Sequence, residues 1–425
     1  MRNQLSLVST TLLVVASMLG TGILTTTGII LKLVKSPGAV LLVWIAGGIL
    51  AWFGAYCYGI IARALPKSGG EAVILRDFFS PTLGEAAGWT SFVVGFAASN
   101  AATSLALAAY LEAGFPALPL RGQAVACLAL LLVTALHGVF GAAGMRIQTL
   151  LAAVKFSLLA GLMLYGWLLV APSAATSVAT PAAAGFGADW GVAMMLVMFA
   201  YSGWNAAIYV VSEVRNSGRT ARDAMIIGTS IILLLYIGVN WVVLSQLPPA
   251  EIEGVIPIIS VLVKALFGAD ASEVFSALVA FALLSSLGAS AFLGPRVLAA
   301  MLAWLGTPAD RPVPAAVHVS PRLIWLQALV SIIMVISGTF EQILTIMGFL
   351  LGFFPVVSVL AVYRIGANGS PPSPSIVRYF IAPVFIAAMS AILMLGAWQR
   401  PFEVGVAISL VLLFFLLRGG MRWTS

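Results

Sequence analysis

Residues 17–23 read Ser17-Met18-Leu19-Gly20-Thr21-Gly22-Ile23, followed by Thr25, Thr26, Thr27 and Gly28. They lie midway along an apolar run from about residue 7 to residue 33, and about 20 helical residues suffice to cross a bilayer. Two glycines flanking a threonine weaken the helix at that depth and leave backbone N–H and C=O groups without helical partners. In hydrocarbon such groups are tolerated only where a cavity or a solute satisfies them. A helix that restarts here presents the N–H groups of about Gly20 to Ile23, aided by its dipole, to a carboxylate. The same small residues also suit close contact between two membrane helices, so the motif alone leaves both readings open.

The rest of the chain shares this character. Of 425 residues, 61% are hydrophobic and 8% charged, against about a quarter charged in soluble proteins. Too few ionic side chains exist to coat a water-exposed surface, which excludes a soluble enzyme. Cutting at charges, prolines and loop-like clusters gives twelve spans, at roughly 7–33, 38–62, 86–113, 122–144, 147–170, 190–213, 223–246, 272–302, 322–338, 342–364, 376–396 and 403–418. The expectation is an all-α polytopic membrane protein with twelve transmembrane helices in a single domain over residues 1–425. Pro66 to Gly84 is too polar to span, and Ile256 to Phe267 reads as an interfacial helix on the opposite side.

An even number of spans puts both termini on one side. With the termini inside, Lys32, Lys35, Arg121, Lys264 and Arg400 fall outside, Lys155 falls within a span, and the other 15 of the 21 basic residues are cytoplasmic. That bias is the one expected of a multi-pass protein of a cell (inner) membrane, and it explains the net charge of +7 without a nucleic-acid partner. The first apolar run is too long for a removable signal. Cys57 and Cys127 both fall inside apolar segments, so no loop disulfide is expected.

A second interruption lies in the sixth span, at Phe199-Ala200-Tyr201-Ser202-Gly203-Trp204-Asn205. Gly203 sits among aromatics and hydroxyls at the midpoint, and the amide of Asn205 is costly in lipid. Unwound carbonyls of Phe199, Ala200 and Ser202 suit an ammonium group. The two breaks open the first and second groups of five spans, the matched pairing that marks a binding site in transporters. A half-helix amino end beside free carbonyls complements a zwitterion, and an α-amino acid is one.

Five blocks, in order, resemble the amino acid–polyamine–organocation transporter superfamily, nearest its L-type amino acid transporter-like branch. They are Gly20-Thr21-Gly22-Ile23; Pro66-Lys67-Ser68-Gly69-Gly70-Glu71 with Leu75-Arg76-Asp77; Phe199 to Asn205; Ser212-Glu213-Val214-Arg215-Asn216 through Arg219, Arg222 and Ala224; and Gly294-Pro295-Arg296-Val297-Leu298. The resemblance implies two inverted five-helix repeats, about 7–170 and 190–364, followed by two extra helices at about 376–418, and alternating access. It assigns the carboxylate to Gly20, Thr21 and Gly22, and the ammonium to backbone of Met18, Phe199, Ala200 and Ser202. Phe199 resembles the family's aromatic gate, and Asn205 its polar residue beside the site. The chain departs from the pattern at Ser217, where proline is usual, and at Gly288, where the branch often has asparagine.

Lys155 lies in the fifth span, and an ionisable group there is a functional candidate by default. A lysine taken out of water also suits proton binding and release; the alternative is a long stem snorkelling to the headgroups. By resemblance, sodium-independent relatives place this ammonium where sodium-coupled ones bind a cation. Its partners would be first-span carbonyls near Ser17 or Gly20 and the hydroxyls of Ser286 or Ser290. The expected activity is sodium-independent carriage of amino acids, by exchange or proton symport. All 14 acidic residues fall in loops or near span ends, which favours a neutral substrate over a cationic amino acid or polyamine; an exporter is the other alternative. Glu213 and Asp223 are expected in cytoplasmic salt bridges with Arg215, Arg219 or Arg222, with Glu213 and Arg215 part of a closing gate.

His137 and His318 are far apart without companions at ligand spacing, so neither a metal nor another cofactor is expected. No catalytic dyad or triad pattern is present, and opposed broken helices fit a carrier better than a channel. The branch's animal members join a single-span partner through a cysteine in the loop after the third span. Here that loop, Gly114 to Arg121, has none, so a disulfide-linked accessory subunit is not expected.

Overall fold

A computed structural model describes residues 5–140, 144–168, 189–304, 319–366 and 373–423. Among them the secondary structure is helical, apart from one isolated parallel bridge between Leu5 and Val214. Arg2, Arg311 and His318 lie outside the described residues.

The first apolar run is two helices, α1 (Leu7–Met18) and α2 (Gly22–Val34), bent by 42° at the residues between them. Lys35 closes α2 in the left-handed region, and Ser36-Pro37 starts α3 (Pro37–Ala64), with proline at the first turn where its missing N–H costs nothing. After a tandem glycine comes α4 (Gly70–Phe78). Ser80 caps α5 (Pro81–Thr90), which continues through a π-helical stretch, Ser91–Ala98, into α6 (Ser99–Gly114). Then follow α7 (Gln123–Phe140), α8 (Gly144–Leu168) and α9 (Trp190–Ala200).

Beyond a turn, a 3-10 helix (Ala206–Glu213) leads to α10 (Ser217–Gln246), the short α11 (Pro249–Ile252) and α12 (Ile258–Phe267). The chain ends with α13 (Ala269–Trp304), α14 (Pro321–Ser337), α15 (Phe340–Val359), α16 (Ala382–Gln399) and α17 (Pro401–Trp423). Thr339 and Gln342 form a reciprocal capping box at the start of α15, which satisfies two donors that a helix end otherwise strands.

Among the described residues, seven helices are long and apolar enough to cross a membrane, and eight if the bent α1–α2 pair counts as one. Gln123–Leu136, Ala153–Leu168, Trp190–Ala200, Ile258–Phe267 and Pro321–Ser337 are apolar but shorter. The protein is a multi-pass helical membrane protein. The stretch between the second and third spans is no linker: residues 70–76 are all buried. In α12, Ile258, Ile259, Leu262 and Val263 are buried against the bundle.

Outward-facing side chains such as Trp167, Leu234, Ile336, Met394 and Trp398 are exposed hydrophobics, as a surface solvated by lipid requires. The interior is lined by α1, α2, α3, α9 and α10, with α10 packed along both α3 and α1. These five elements hold the two interruptions together.

Candidate functional site

At the first break, α1 stops at Met18 and the Gly20 N–H turns back to the Met18 carbonyl at 2.7 Å. The opening N–H groups of any helix lack intrahelical acceptors, and here those of Thr21, Gly22 and Ile23 find none among the described residues. Thr25 and Thr26 donate to the carbonyls of Thr21 and Gly22, each at 2.8 Å. These hydroxyls are thus turned along α2 and leave the N–H groups free.

At the second break, α9 stops at Ala200 and Gly203 takes φ +99, a conformation open to glycine and strained for other residues. The Ser202 N–H closes onto the Phe199 carbonyl at 2.9 Å, whereas among the described residues nothing donates to the carbonyls of Ala200 and Ser202. The breaks interlock through their glycines. A Cβ on Gly203 would lie 2.6 Å from the Ser17 carbonyl oxygen, and one on Gly22 would overlap the Cα of Ala200. Ser17 is exposed, and Gly20, Ser202, Gly203 and Asn205 are half-buried, so the junction is not packed shut. Phe199 beside it is buried.

One face of α10 steadies both halves of the first span. The Tyr236 hydroxyl donates to Met18 at 2.6 Å, and the Thr27 hydroxyl donates to the Asn240 side chain at 2.6 Å. The Asn240 amide donates in turn to the Tyr236 carbonyl at 2.7 Å. Of the carbonyls expected to meet an ammonium, Met18 is therefore already engaged by Gly20 and Tyr236, and Phe199 by Ser202. Those of Ala200 and Ser202 remain.

Lys155, 7% exposed, extends from α8 to both the first and eighth spans. Its ammonium donates to the Leu19 carbonyl at 3.1 Å and to Ser286 Oγ at 2.9 Å. The Ser286 hydroxyl passes its own hydrogen to the Ala282 carbonyl at 3.2 Å. The head is held inside the protein and does not snorkel. The carbonyl it meets is Leu19, between the expected Ser17 and Gly20. Ser290 contributes elsewhere, its carbonyl accepting from Gln327 at 3.0 Å.

A third cluster escapes a hydropathy reading, which counts Glu71 among loop acids. Glu71 is 5% exposed. It accepts from the Tyr58 hydroxyl at 3.0 Å, from the side-chain amide of Asn205 and from the Tyr209 hydroxyl. Ser68 meets Ser212, with Oγ atoms 2.6 Å apart. Gly69 and Gly70 take φ +133 and +64, and a Cβ on Gly70 would overlap the Tyr209 ring. The Ser68-Gly69-Gly70-Glu71 turn thus clamps the 3-10 half of the sixth span. The only local signal for it is the tandem glycine before an acid.

At the chain's amino-terminal side, the Leu5 N–H donates to the Glu213 carbonyl at 2.8 Å and the Arg215 N–H to Leu5 at 3.0 Å. The Glu213 and Arg215 side chains are exposed, and among the described residues neither forms an ion pair, so the expected salt bridge is replaced by backbone pairing. Asp223 pairs with its neighbour Arg222 at 2.7 Å. On the other rim, Glu341 takes Arg400 at 2.7 Å and Lys32 at 3.7 Å, Glu253 takes Lys35, and the Gly254 N–H donates to Gly28 at 2.8 Å. No cluster of three or more His, Cys, Asp or Glu suited to a metal occurs among the described residues.

A family model described as amino acid permease matches residues 5–396. The b(0,+)-type amino acid transporter 1 of Mus musculus is 24% identical over 98% of this chain and 88% of its own length. Its Homo sapiens counterpart is 27% identical over 56% of this chain and 50% of its own length. The large neutral amino acids transporter small subunit 2 of Mus musculus is 23% identical over 100% of this chain and 82% of its own length.

Proposed function

The chain belongs to the amino acid permease family, and from that premise we propose that it carries neutral amino acids by alternating access, without sodium, through exchange or proton symport. The observation that carries this reading is the interlock of the two breaks. Among the described residues, N–H groups without acceptors at Thr21, Gly22 and Ile23 stand in one break, and carbonyls without donors at Ala200 and Ser202 in the other. A carboxylate seats on the first set, with Gly20, and an ammonium on the second. Phe199 closes over the solute and Asn205 lies beside it.

Lys155 occupies the place a coupling cation would take, linking the first and eighth spans. A fixed ammonium there makes sodium dispensable. Its hydrogen bonds also respond to any change in the first break, because Leu19 is part of that break. Spans one to five and six to ten form two inverted repeats in this reading, with both termini in the cytoplasm of a cell-membrane carrier. Leu5, Glu213 and Arg215 belong to the inner closure. Glu71 is satisfied by three donors and so is not free to pair with a cationic substrate, which favours the neutral class over a polyamine or cationic amino acid carrier.

No covalently attached accessory chain is part of this proposal. Cys57 is buried and Cys127 lies within α7, away from the loop that would carry such a link.

The test is uptake of a labelled amino acid panel into proteoliposomes. Faster uptake with amino acid inside indicates exchange, and acceleration by an inward acid gradient indicates symport. A requirement for a sodium gradient, or no uptake of any amino acid, would overturn the reading.

A further inference from the structure

We infer that Glu71 is a positioning residue that fixes the side-chain amide of Asn205 with its carbonyl oxygen, not its NH2, left for the substrate. The inference rests on the proposed amino acid site and adds one requirement to it: the group read by Asn205 must be a hydrogen donor. A carboxylate only accepts hydrogen bonds, and an asparagine amide has one donating and one accepting end. Only the NH2 end can face Glu71, and it does, with Nδ2 donating to Glu71 Oε1. Oδ1 of Asn205 is thereby turned to the other side of the amide.

Two further observations show that Oδ1 is unspent. Asn205 precedes the 3-10 helix at its N-cap, where an asparagine oxygen ordinarily accepts from the first turn; here it makes no such bond. Among the described residues it has no other partner, although Asn205 is half-buried two residues after Gly203. The carboxylate itself is held from both sides. Tyr58 of α3 shares Oε1, and Tyr209 takes Oε2. With both oxygens committed, Glu71 has little freedom to rotate and release the amide. Gly70, whose lack of a side chain admits the Tyr209 ring, is what lets the carboxylate come this close.

The experiment is a swap of the pair in the full chain. Asn205→Asp sets two carboxylates against each other. Glu71→Gln with Asn205→Asp restores a donor facing an acceptor, keeps the net charge and again leaves one oxygen where Oδ1 stood, with the second N–H of the glutamine meeting the Tyr58 oxygen in place of the bond that Oε1 accepted. The expected result is a rise in KM of about tenfold or more for Asn205→Asp alone, with the KM of the double variant back within about threefold of wild type. Thermal unfolding in detergent, which needs no substrate, should show the same loss and recovery.

Recovery of unfolding temperature without recovery of KM would overturn the inference, since it would mean that the NH2 end is the one the substrate needs. So would an Asn205→Asp variant indistinguishable from wild type in both measurements. If the wild-type protein carried no amino acid at all, the proposed function would fail, and the unfolding series would still decide whether Glu71 orients Asn205.

Discussion

Gly203 rests against Ser17 so closely that a Cβ would meet the serine carbonyl oxygen at 2.6 Å. The contact joins two segments distant in sequence at the one depth where both lose their helical hydrogen bonds. Because the opposing atom is backbone, no side-chain rotation relieves the clash.

Gly203→Ala should therefore lower the unfolding temperature and abolish most transport. The left-handed φ of +99 adds about 1–3 kcal/mol of strain to the overlap. Gly95→Ala is the matched control, since a Cβ there meets nothing within 4 Å. It should leave the uptake rate unchanged and should not lower the unfolding temperature in detergent, since alanine favours a helix more than glycine does.

Removing the ammonium of Lys155 leaves the Leu19 carbonyl without its donor and unties it from Ser286, which keeps its own bond to Ala282. A hydrogen bond to a charged group contributes about 1.5–3 kcal/mol, so Lys155→Ala should cut transport by about tenfold or more. In the same vesicles, replacing sodium with choline should leave wild-type uptake unaltered. Unchanged transport by Lys155→Ala at every pH would remove the lysine from the mechanism.

Glu341 gathers Lys32, at the end of α2, and Arg400, between the last two helices. These pairs are partly exposed, and each is worth about 0–1 kcal/mol. Glu341→Gln should accordingly loosen the α2 half of the first span without unfolding the protein. Thiol labelling of a cysteine introduced at Thr25, in detergent and in a variant lacking Cys57 and Cys127, should speed up severalfold. High salt should bring the Glu341-intact protein toward the same rate, because screening weakens exposed pairs.

The clamp on the sixth span makes a separate prediction. Gly70→Ala places a methyl into the Tyr209 ring at φ +64, so it should depress transport strongly and lower the unfolding temperature. Ser68→Ala loses the exposed contact to Ser212 Oγ and the bond that Ser68 Oγ accepts from the Ser212 N–H at 3.0 Å, with no backbone clash, and should cost less than Gly70→Ala in the same unfolding assay.

Much of this was legible in the chain because the signals are local. A glycine pair in an apolar run, a glycine among aromatics and a lone lysine within a span each stand out against hydrophobic surroundings. They located both breaks and the tie from Lys155 to the first and eighth spans. Which carbonyl receives the ammonium was not legible, since Ser17, Leu19 and Gly20 differ only in how the unwound backbone turns. Met18 looked available because its other partner, Tyr236, lies 218 residues away. Glu71 was misread for the same reason: its segment averages as a loop, and its burial comes from Asn205 and Tyr209, 134 and 138 residues on.

Tyr236 and Asn240 stand one turn apart on α10 and grip the first span on opposite sides of its rupture, at Met18 and Thr27. Four residues of helix advance about 6 Å, so a rigid rod acts as a ruler for the width of the opening. That ruler sets where Thr21, Gly22 and Ile23 stand, and the Gly22–Ala200 and Gly203–Ser17 contacts set how far they lie from the carbonyls of Ala200 and Ser202, so a solute's variable portion is free to differ but the spacing of its charged ends is not. β-Amino acids, one methylene longer between those ends, should be the first solutes the protein refuses.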